Sequence, residues 1–388
     1  MFLIQGPVRN SDSSMKTLFI GEEESAYMFA DRAYSKIEKI VSLTQLKQSQ
    51  ISSLRLPATE IAAARIDPSF MGKFQKQNYL ILPNVSFSLD LCASIPSLIR
   101  RMSRRRRRDI KRVKELSYSY SINRKDEGDL SFFYREMYLP YALKRFEKAA
   151  HIKTYLESKT VYNANGGILF LKKKDKPIAG ILFQIRGKEL CASSFGVYNG
   201  DESYLQGLAS QATLFFLLEW AKTQGMKNLD YGVCSPFLRG GLFTFKKEWG
   251  MNIAKPIGYS VLALKISSLS EGCLSFLEQN PFIVLDKKKL KGIVFKNHKL
   301  TQSEFQEECS KYYLPGLDSL IVVSYYKPNE VAQGKNQISN VAQGFPYVIE
   351  PLLDISHGLR TKGFEVEIAE FKGSECRALT CQTSGDQE

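Results

Sequence analysis

Apolar residues in this chain recur at helical spacing in some segments and in strand-like runs in others. Residues 24–43, "ESAYMFADRAYSKIEKIVSL", place apolar side chains at three- and four-residue steps, which predicts a helix. Residues 78–91, "NYLILPNVSFSLDL", are rich in Leu, Ile, Val and Phe and predict a strand. The first ninety or so residues therefore indicate a mixed α/β segment.

Residues 94–116 combine a sparse apolar face with a dense run of cations. Ser94 and Pro96 are typical of a helix start, and apolar residues follow at helical spacing. We therefore expect one cationic helix. Its five consecutive arginines, Arg104 to Arg108, would spread around the helix, so at least one must point inward or to a ligand. A fully solvated basic face is the alternative.

A second helix is predicted over residues 128–149, where Pro140 should kink or end it. Residues 166–198 then contain three apolar runs separated by "KKDKP" and "RGKE". These separators are turn sequences, so the three runs predict neighbouring antiparallel strands. The pattern thus changes here from helix to sheet.

A long helix is predicted over residues 205–224, with Gly225 closing it. Two further strands are predicted in "KNLDYG", residues 227–232, and in "IGYSVLALKI", residues 257–266. The stretch "LRGGLFTFKKEWG", residues 238–250, lies between these strands and predicts a loop or a short helix.

The composition is that of a folded protein: hydrophobic residues make up 44% of the 388 positions and charged residues 24%. This length allows two domains, each with its own core. No apolar run approaches the roughly 20 residues of a membrane span, and the first residues do not resemble a secretory signal. The expected location is therefore the cytoplasm.

The formal net charge of +14 favours anionic partners such as nucleic acid, phosphorylated cofactors or an anionic membrane face. The seven cysteines are scattered and form no C-x-x-C pair, which is typical of reduced thiols. The three histidines also stand apart from one another and from the cysteines. We therefore predict neither a metal site nor a thiol nucleophile.

Residues 80–265 resemble the GNAT-like acyltransferases of the FemABX type and their bacterial acetyltransferase relatives. The order of elements carries this resemblance, together with "LDYG" at residues 229–232 and "FKKEWG" at residues 245–250. The resemblance implies that Lys246 stabilises the negative charge that develops on the carbonyl oxygen during acyl transfer. Phe245 and Trp249 would partly exclude water from it and contact the substrate. The alternative is that Lys246 and Lys247 are solvated while the aromatic residues fill a core.

The resemblance also implies a binding site for the pyrophosphate of an acyl carrier at the start of the helix over residues 205–224. Unpaired backbone N–H groups and the helix dipole favour an anion there. The matching residues are Gln206, Gly207, Ala209 and Ser210. The glycine-rich signature of ordinary acetyltransferases is missing, which leaves aminoacyl-tRNA open as the donor in place of acyl-CoA.

Five further residues are candidates for the same cleft. Asp230 and Tyr231 could accept or orient the proton of the amine, or Asp230 could cap the loop. Tyr204 could bond the acceptor or only pack, and Arg239, beside two glycines, could bind an anionic acceptor or lie in a surface turn. Tyr134 could line the acceptor cleft, or belong to a helix core.

We therefore interpret the chain as an α/β protein with a GNAT-like fold, a mixed and mainly antiparallel sheet flanked by helices. Residues 1–116 would form an N-terminal α/β segment ending in the basic helix. Residues 117–330 would form the acyltransferase domain, and residues 331–388 a polar linker and C-terminal extension. The hypothesis that residues 1–116 are a degenerate second lobe of the same fold stays open.

The resemblance implies an N-acyltransferase that moves an acyl group from acyl-CoA, a donor substrate and not a bound cofactor, to an amine acceptor. The acceptor would be a small molecule or glycan precursor, such as an amino sugar or an amino acid. Two alternatives remain. One is transfer from aminoacyl-tRNA, as in FemABX proteins, and the other is a non-catalytic module that binds anions or nucleic acid.

Overall fold

The computed structural model describes residues 1–43, 59–124, 126–146, 152–256, 258–326 and 365–372. The α-helices of this part of the chain are α1 (Glu23–Ala33), α2 (Met71–Gln75), α3 (Ile95–Arg101), α4 (Arg104–Glu115), α5 (Glu127–Phe132), α6 (Leu139–Phe146), α7 (Tyr155–Asn163), α8 (Glu202–Gln206), α9 (Ala209–Thr223), α10 (Gly241–Glu248), α11 (Glu271–Gln279) and α12 (Gln302–Tyr312). A π-helical segment, Phe133–Tyr138, joins α5 to α6.

The strands belong to three sheets in the described residues. The six-stranded sheet contains β1 (Phe2–Pro7), β2 (Ser14–Ile20), β3 (Lys39–Ser42), β4 (Ile61–Ile66), β5 (Leu80–Pro83) and β13 (Val261–Ile266). The seven-stranded sheet contains β6 (Val85–Asp90), β7 (Tyr118–Asn123), β8 (Gly166–Lys173), β9 (Lys176–Arg186), β10 (Glu189–Val197), β11 (Asn228–Cys234) and β12 (Asn252–Ala254). The four-stranded sheet contains β14 (Phe282–Asp286), β15 (Lys289–Lys296), β16 (Ser319–Tyr326) and β17 (Glu365–Lys372).

The chain folds into two compact units that alternate along the sequence. The first unit combines residues 1–85 with residues 234–244 and the described residues from 253 onward, and the second combines residues 86–233 with residues 245–252. The predicted ranges 1–116, 117–330 and 331–388 do not coincide with the ends of these units and stay a prediction. Of residues 331–388, only β17 lies within the described part of the chain.

The first unit contains the six-stranded and four-stranded sheets. The six-stranded sheet has the order β3-β1-β2-β4-β13-β5, in which β2 and β4 are parallel and the other pairs are antiparallel. The core of the first unit includes apolar residues from α1, α11 and both sheets, among them Phe19, Phe29, Phe276 and Phe282. These side chains bury enough apolar surface for the unit to have its own core.

The second unit contains the seven-stranded sheet, in the order β12-β6-β11-β10-β9-β8-β7. The strands from β7 to β10 pair antiparallel with their neighbours, as the turn sequences between them predict. Lys174 and Asp175, with φ of 49° and 62°, and Gly187, with φ of 61°, make these tight turns. β10 then pairs with β11 in parallel, which requires the crossover that α8 and α9 provide.

Helices cover both faces of the β8–β9 part of this sheet. Leu182 belongs to a buried cluster with residues of α5, α7 and the π-helical segment, such as Leu130 and Met137. The neighbouring residue Phe183 contacts Trp220 of α9, with ring centroids 5.0 Å apart. Successive side chains of a strand point to opposite faces, so α5 to α7 lie on one face and α9 on the other.

The π-helical segment lies directly against β10. A Cβ atom added to Gly196 would come within 2.5 Å of the backbone carbon of Met137, so only glycine permits this approach. The interruption predicted at Pro140 takes the form of this wider helical segment, after which α6 continues to Phe146. Proline lacks the N–H that a regular α-helix needs there, and π-helical segments are frequent at functional sites.

Three predicted helices have different bounds in the structure. The helix predicted over residues 24–43 ends at Ala33, and Lys39–Ser42 forms β3 instead. Tyr34 leaves the helix with extended backbone angles, because its hydroxyl is buried and bonds to Thr17 Oγ1 at 2.7 Å. The prediction of one continuous helix here was therefore wrong.

The single basic helix predicted over residues 94–116 is two helices, α3 and α4. Met102 and Ser103 have extended backbones between them, and the Ser103 side chain caps α4 by accepting from Arg106 N. The helix predicted to start at residue 205 begins at Ala209, because Leu208 adopts a left-handed conformation with φ of 66°. The strand predicted over residues 78–91 is confirmed as two strands, β5 and β6, in different sheets.

The mixed, mainly antiparallel α/β class is confirmed by these sheets and helix layers. Each unit has its own mixed sheet, as two lobes would require. The parallel pairing of β10 and β11 is the feature that positions the candidate site.

Candidate active site

The strands β10 and β11 separate soon after they pair. Their parallel pairing covers three residue pairs, of which Cys191 and Asp230 form the last. Both strands continue beyond this point, β10 to Val197 and β11 to Cys234. We call this place the strand split. Where paired strands part, backbone N–H and C=O groups on the facing edges lose their ladder partners, so they can bind a ligand.

A β-bulge in β10 lies at the strand split. Ala192 pairs with Phe183 of β9 and Ser194 pairs with Leu182, which leaves Ser193 as the extra residue. A bulge bends its strand and increases the local twist, and bulges are frequent beside active sites. The bend follows directly on the last pair with β11, so it accounts for the separation of the two strands.

Lys246 is anchored to β11 just beyond the strand split. It is 2% exposed, and its ammonium donates to the carbonyl oxygens of Gly232 at 2.9 Å and Val233 at 3.3 Å. The same ammonium lies 5.4 Å from the ring centroid of Phe87 on β6. The solvated alternative for Lys246 is therefore wrong, because a cation buried in this way is held by oxygen atoms of the protein.

Phe245 and Trp249 pack against Arg106. The guanidinium carbon of Arg106 lies 5.0 Å from the ring centroid of Phe245 and 5.4 Å from that of Trp249. Phe245 lies on α10, and Trp249 follows directly after the last residue of that helix. Trp249 is fully buried. That the two rings exclude water from Lys246 and contact the substrate stays a prediction.

Arg106 is the arginine of the run that points inward. Its side chain is 3% exposed and donates to Glu248 at 2.7 Å and to Asp109 at 3.1 Å. Gly250, the last residue of the motif, has φ of 70°, and a Cβ atom there would lie 2.8 Å from the Arg101 carbonyl oxygen. The "FKKEWG" motif thus contacts both the basic helices and β11, to which Lys246 bonds.

Asp230 lies at the strand split beside Cys191 and Glu189. Its Oδ1 accepts from the backbone N–H of Gly232 at 2.8 Å, which is the loop-capping role that the sequence left open. Burial raises the pKa of Cys191 to about 11, helped by the negative charges of Asp230 and Glu189. Among the described residues, these three side chains come nearest to a metal-ligand arrangement, with ligand atoms within 4.8 Å of one another.

Tyr231 follows Asp230 on β11. Burial raises the pKa of its phenol well above the ordinary value, and the nearby charge of Arg106 lowers it only in part. A phenol with a raised pKa keeps its proton at neutral pH. Tyr231 is therefore suited to donate a hydrogen bond and unsuited to act as a base.

The predicted carrier-binding residues surround the start of α9. Gly207 is held by Tyr118, whose hydroxyl donates to its carbonyl oxygen at 2.7 Å, while Gln206 is exposed and Ala209 is buried. Ser210 donates to the Gln211 side chain at 2.7 Å. No side chain caps this helix start at Leu208, so the N–H groups of the first turn keep the orientation that an anion needs.

The remaining predicted residues occupy three places. Tyr204 is half-buried on α8, one turn before α9. Tyr134 lies in the π-helical segment, where its hydroxyl donates to the Lys153 carbonyl oxygen at 3.1 Å. Arg239 belongs to the first unit, where its guanidinium donates to Tyr312 at 2.5 Å and to the Gln279 carbonyl oxygen at 3.5 Å. Its predicted role in binding an anionic acceptor stays a prediction.

Lys153 is a residue of this region that the sequence analysis missed. Its ammonium donates to Ser193 Oγ at 2.7 Å, directly at the bulge of β10. The only sequence signal was the capping pattern of Thr154 and Glu157, which marks the start of α7 but says nothing about Lys153. The contact to Ser193 spans forty residues, so no local motif could show it.

Comparison with solved structures finds similar chains among acyltransferases. FemX matches over 67% of this chain and 83% of its own, at 11% identity and a TM-score of 0.38. The C-terminal domain of a putative lysylphosphatidylglycerol synthetase from Agrobacterium fabrum matches over 70% and 82%, at 12% identity and a TM-score of 0.36. A GCN5-related N-acetyltransferase from Kribbella flavida matches over 52% and 66%, at 11% identity and a TM-score of 0.27.

No family model and no curated protein sequence matches this chain. The similar structures share little sequence and only part of their geometry with it, so its activity must be argued from its own residues. No helix in the described residues is long and apolar enough to cross a membrane.

Proposed function

We propose that this protein is an N-acyltransferase that moves an acyl group directly from a carrier to an amine. The observation that supports this best is the strand split, with the Lys246 ammonium fixed on β11 two residues beyond the last pair with β10. The split supplies a place where an acyl carbonyl can meet backbone donors. Lys246 adds a fixed positive charge beside it.

The proposed reaction needs no covalent enzyme intermediate. The amine nitrogen attacks the carbonyl carbon of a thioester, a tetrahedral oxyanion forms, and the bond from carbon to sulfur breaks as the amide forms. The proton of the amine passes to the leaving sulfur, with the Asp230 carboxylate orienting the amine. Backbone N–H groups of β10 and the charge of Lys246 stabilise the oxyanion, and proximity supplies much of the remaining acceleration.

The start of α9 supports acyl-CoA as the donor in this proposal. Its first turn is uncapped by any side chain at Leu208 and follows directly on α8, so its N–H groups favour a pyrophosphate. The crossover from β10 to β11 brings this helix start into the same unit as the strand split. Gln206, Gly207, Ala209 and Ser210 would bind the carrier there.

Donor assays test this proposal. The purified full chain is incubated with acetyl-CoA or with aminoacyl-tRNA, each together with a panel of amino acids and amino sugars, and amide products are detected by mass spectrometry. We expect amide formation with acetyl-CoA. Product with aminoacyl-tRNA but not with acetyl-CoA would show that aminoacyl-tRNA is the donor. The absence of product with both donors would reject the proposed acyltransferase activity.

The alternative donor is favoured by a separate observation, the basic surface of α3 and α4. We define this surface by the exposed cations between residues 100 and 114, which are Arg100, Arg101, Arg104, Arg105, Arg107, Arg108, Lys111, Arg112 and Lys114. The apolar side chains of these helices, such as Leu98 and Ile110, are buried. The exposed part is therefore suited to phosphate groups, which arginine binds well, and has no apolar face.

Salt dependence measures whether the basic surface binds tRNA. Changing both Arg104 and Arg108 to Glu should weaken tRNA binding, because two phosphate contacts are lost. In a plot of the logarithm of the tRNA association constant against the logarithm of the salt concentration, the slope should become smaller by about two. The control is the double change Lys173→Glu and Lys176→Glu, which alters the net charge equally in the β8–β9 turn. Equal slopes for both double variants would show that no specific basic surface exists.

A further inference from the structure

Each strand of the split accepts a hydrogen bond from one lysine just beyond the last pair that the two strands share. On β11, Lys246 bonds to Gly232, two residues after Asp230. On β10, Lys153 bonds to Ser193, two residues after Cys191. The strand split therefore has a second fixed cation, which is bonded to the bulge of β10.

Lys153 is held at its backbone as well as at its ammonium. Its N–H donates to the Tyr138 hydroxyl at 2.9 Å, and its carbonyl oxygen accepts from the Tyr134 hydroxyl at 3.1 Å. Both tyrosines lie in the π-helical segment, and Tyr155 packs edge-on against Tyr134 with ring centroids 5.4 Å apart. The position of the ammonium is thus fixed before any ligand arrives.

The partners of the Lys153 ammonium are the hydroxyl and carbonyl oxygens of Ser193. Among the described residues, no carboxylate lies within ion-pair distance of it. Burial lowers the pKa of Lys153, and the charge of Glu157 offsets this only in part. The Glu157 carboxylate accepts from Thr154 at the start of α7, so it is engaged there.

A desolvated cation with neutral partners gains most from an anionic ligand. Lys153 is half-buried and thus more exposed than Lys246. It also lies on the face of the sheet covered by α5 to α7, which is opposite the face covered by α9. An acceptor reaching the split from the α5–α7 face would meet Lys153 first.

We propose that Lys153 binds the carboxylate of an amine acceptor, so that the acceptor is an amino acid rather than an amino sugar. This inference rests on the proposed function and names its substrate class. Tyr134 and Tyr138 act as positioning residues for Lys153, because they hold its backbone. Lys153 is then a specificity residue, and Lys246 serves the reacting carbonyl.

Matched ligands test this proposal by direct binding. Isothermal titration of the full chain compares a panel of amino acids with their α-amides, which differ only in the carboxylate. We expect the wild-type protein to bind at least one amino acid about tenfold more tightly than its amide, the value of one charged hydrogen bond. Lys153→Met should remove this preference, and Lys153→Arg should keep part of it.

A matched control is Lys159→Met, which removes a partly exposed lysine of α7 that pairs with Glu127 and should leave the preference unchanged. Thermal melting of each variant shows that it is folded. The proposal is overturned if the wild-type protein shows no preference for any amino acid over its amide, or if Lys153→Met retains the preference.

The outcome is separate from that of the donor assays. A carboxylate preference that depends on Lys153, without transfer from either donor, would reject the acyltransferase and keep the binding site. If Lys153→Met still transfers the acyl group, with unchanged KM for both amino acids and their amides, the acyltransferase activity stands and carboxylate binding by Lys153 is rejected.

Discussion

A Lys246→Met variant is expected to lose about 10²–10³-fold in kcat for acyl transfer, the usual effect of removing one donor that stabilises an oxyanion. Methionine keeps the length of the side chain and its contact with Phe87 but removes the charge. The KM for the donor should change little, because the proposed carrier site lies at the start of α9. Steady-state kinetics with the donor identified in the assays above measures both quantities.

Loss of activity could also follow from disorder of β11, since Lys246 bonds to two of its carbonyl oxygens. Lys246→Arg separates the two effects. Arginine restores a positive charge that can bond to these carbonyl oxygens, but it does not place that charge where the lysine ammonium lies. The neighbouring change Lys247→Met is the matched control and should keep wild-type kcat. Wild-type kcat in a folded Lys246→Met protein would exclude Lys246 from catalysis.

An Arg106→Leu variant is expected to lose about 3–5 kcal/mol of unfolding free energy in the second unit. The change removes the close cation from the partly buried carboxylates of Glu248 and Asp109, leaving Glu248, among the described residues, only Arg105 at 4.0 Å, and it removes the stacking on Phe245 and Trp249. Urea unfolding followed by tryptophan fluorescence measures this loss. The probe is specific, because both tryptophans of the chain, Trp220 and Trp249, lie in the second unit.

The matched control is Arg108→Leu, a neighbour on α4 whose side chain is exposed. It should change the unfolding free energy by less than about 0.5 kcal/mol, as most surface substitutions do. If the two variants unfold at the same urea concentration, the Arg106 ion pairs contribute nothing to stability. A stable Arg106→Leu protein would also show that the "FKKEWG" motif does not depend on the basic helices.

The sequence predicted elements well where periodicity and turn chemistry agree. The three strands between residues 166 and 198 are correct because their turns force φ > 0 at Lys174, Asp175 and Gly187. It failed where a contact between distant residues accompanies the end of a helix. Tyr34 directly follows α1, and its buried hydroxyl bonds to Thr17. Helical periodicity alone cannot show such a contact, because Thr17 is distant in the sequence.

The candidate site was predicted only in part, because some of its contacts join residues that are distant in the sequence. The motif around Lys246 identified the correct strand, because "LDYG" forms β11, which pairs in parallel with β10. The motif did not show that Phe245 and Trp249 pack on Arg106, which depends on the arrangement of α4 and α10. Lys153 was missed because it reaches the split through a bulge, and bulges leave no mark in the sequence pattern.

The raised pKa of Cys191 has a consequence for the chemistry of a thioester at the strand split. A thiolate there could capture the acyl group before the amine does and divert it into an acylated side chain. With a pKa of about 11, only roughly one molecule in ten thousand carries that thiolate at pH 7. Burial of Cys191, and after it the negative charges of Asp230 and Glu189, therefore protect the donor from a competing nucleophile at the last residue pair before the strands part.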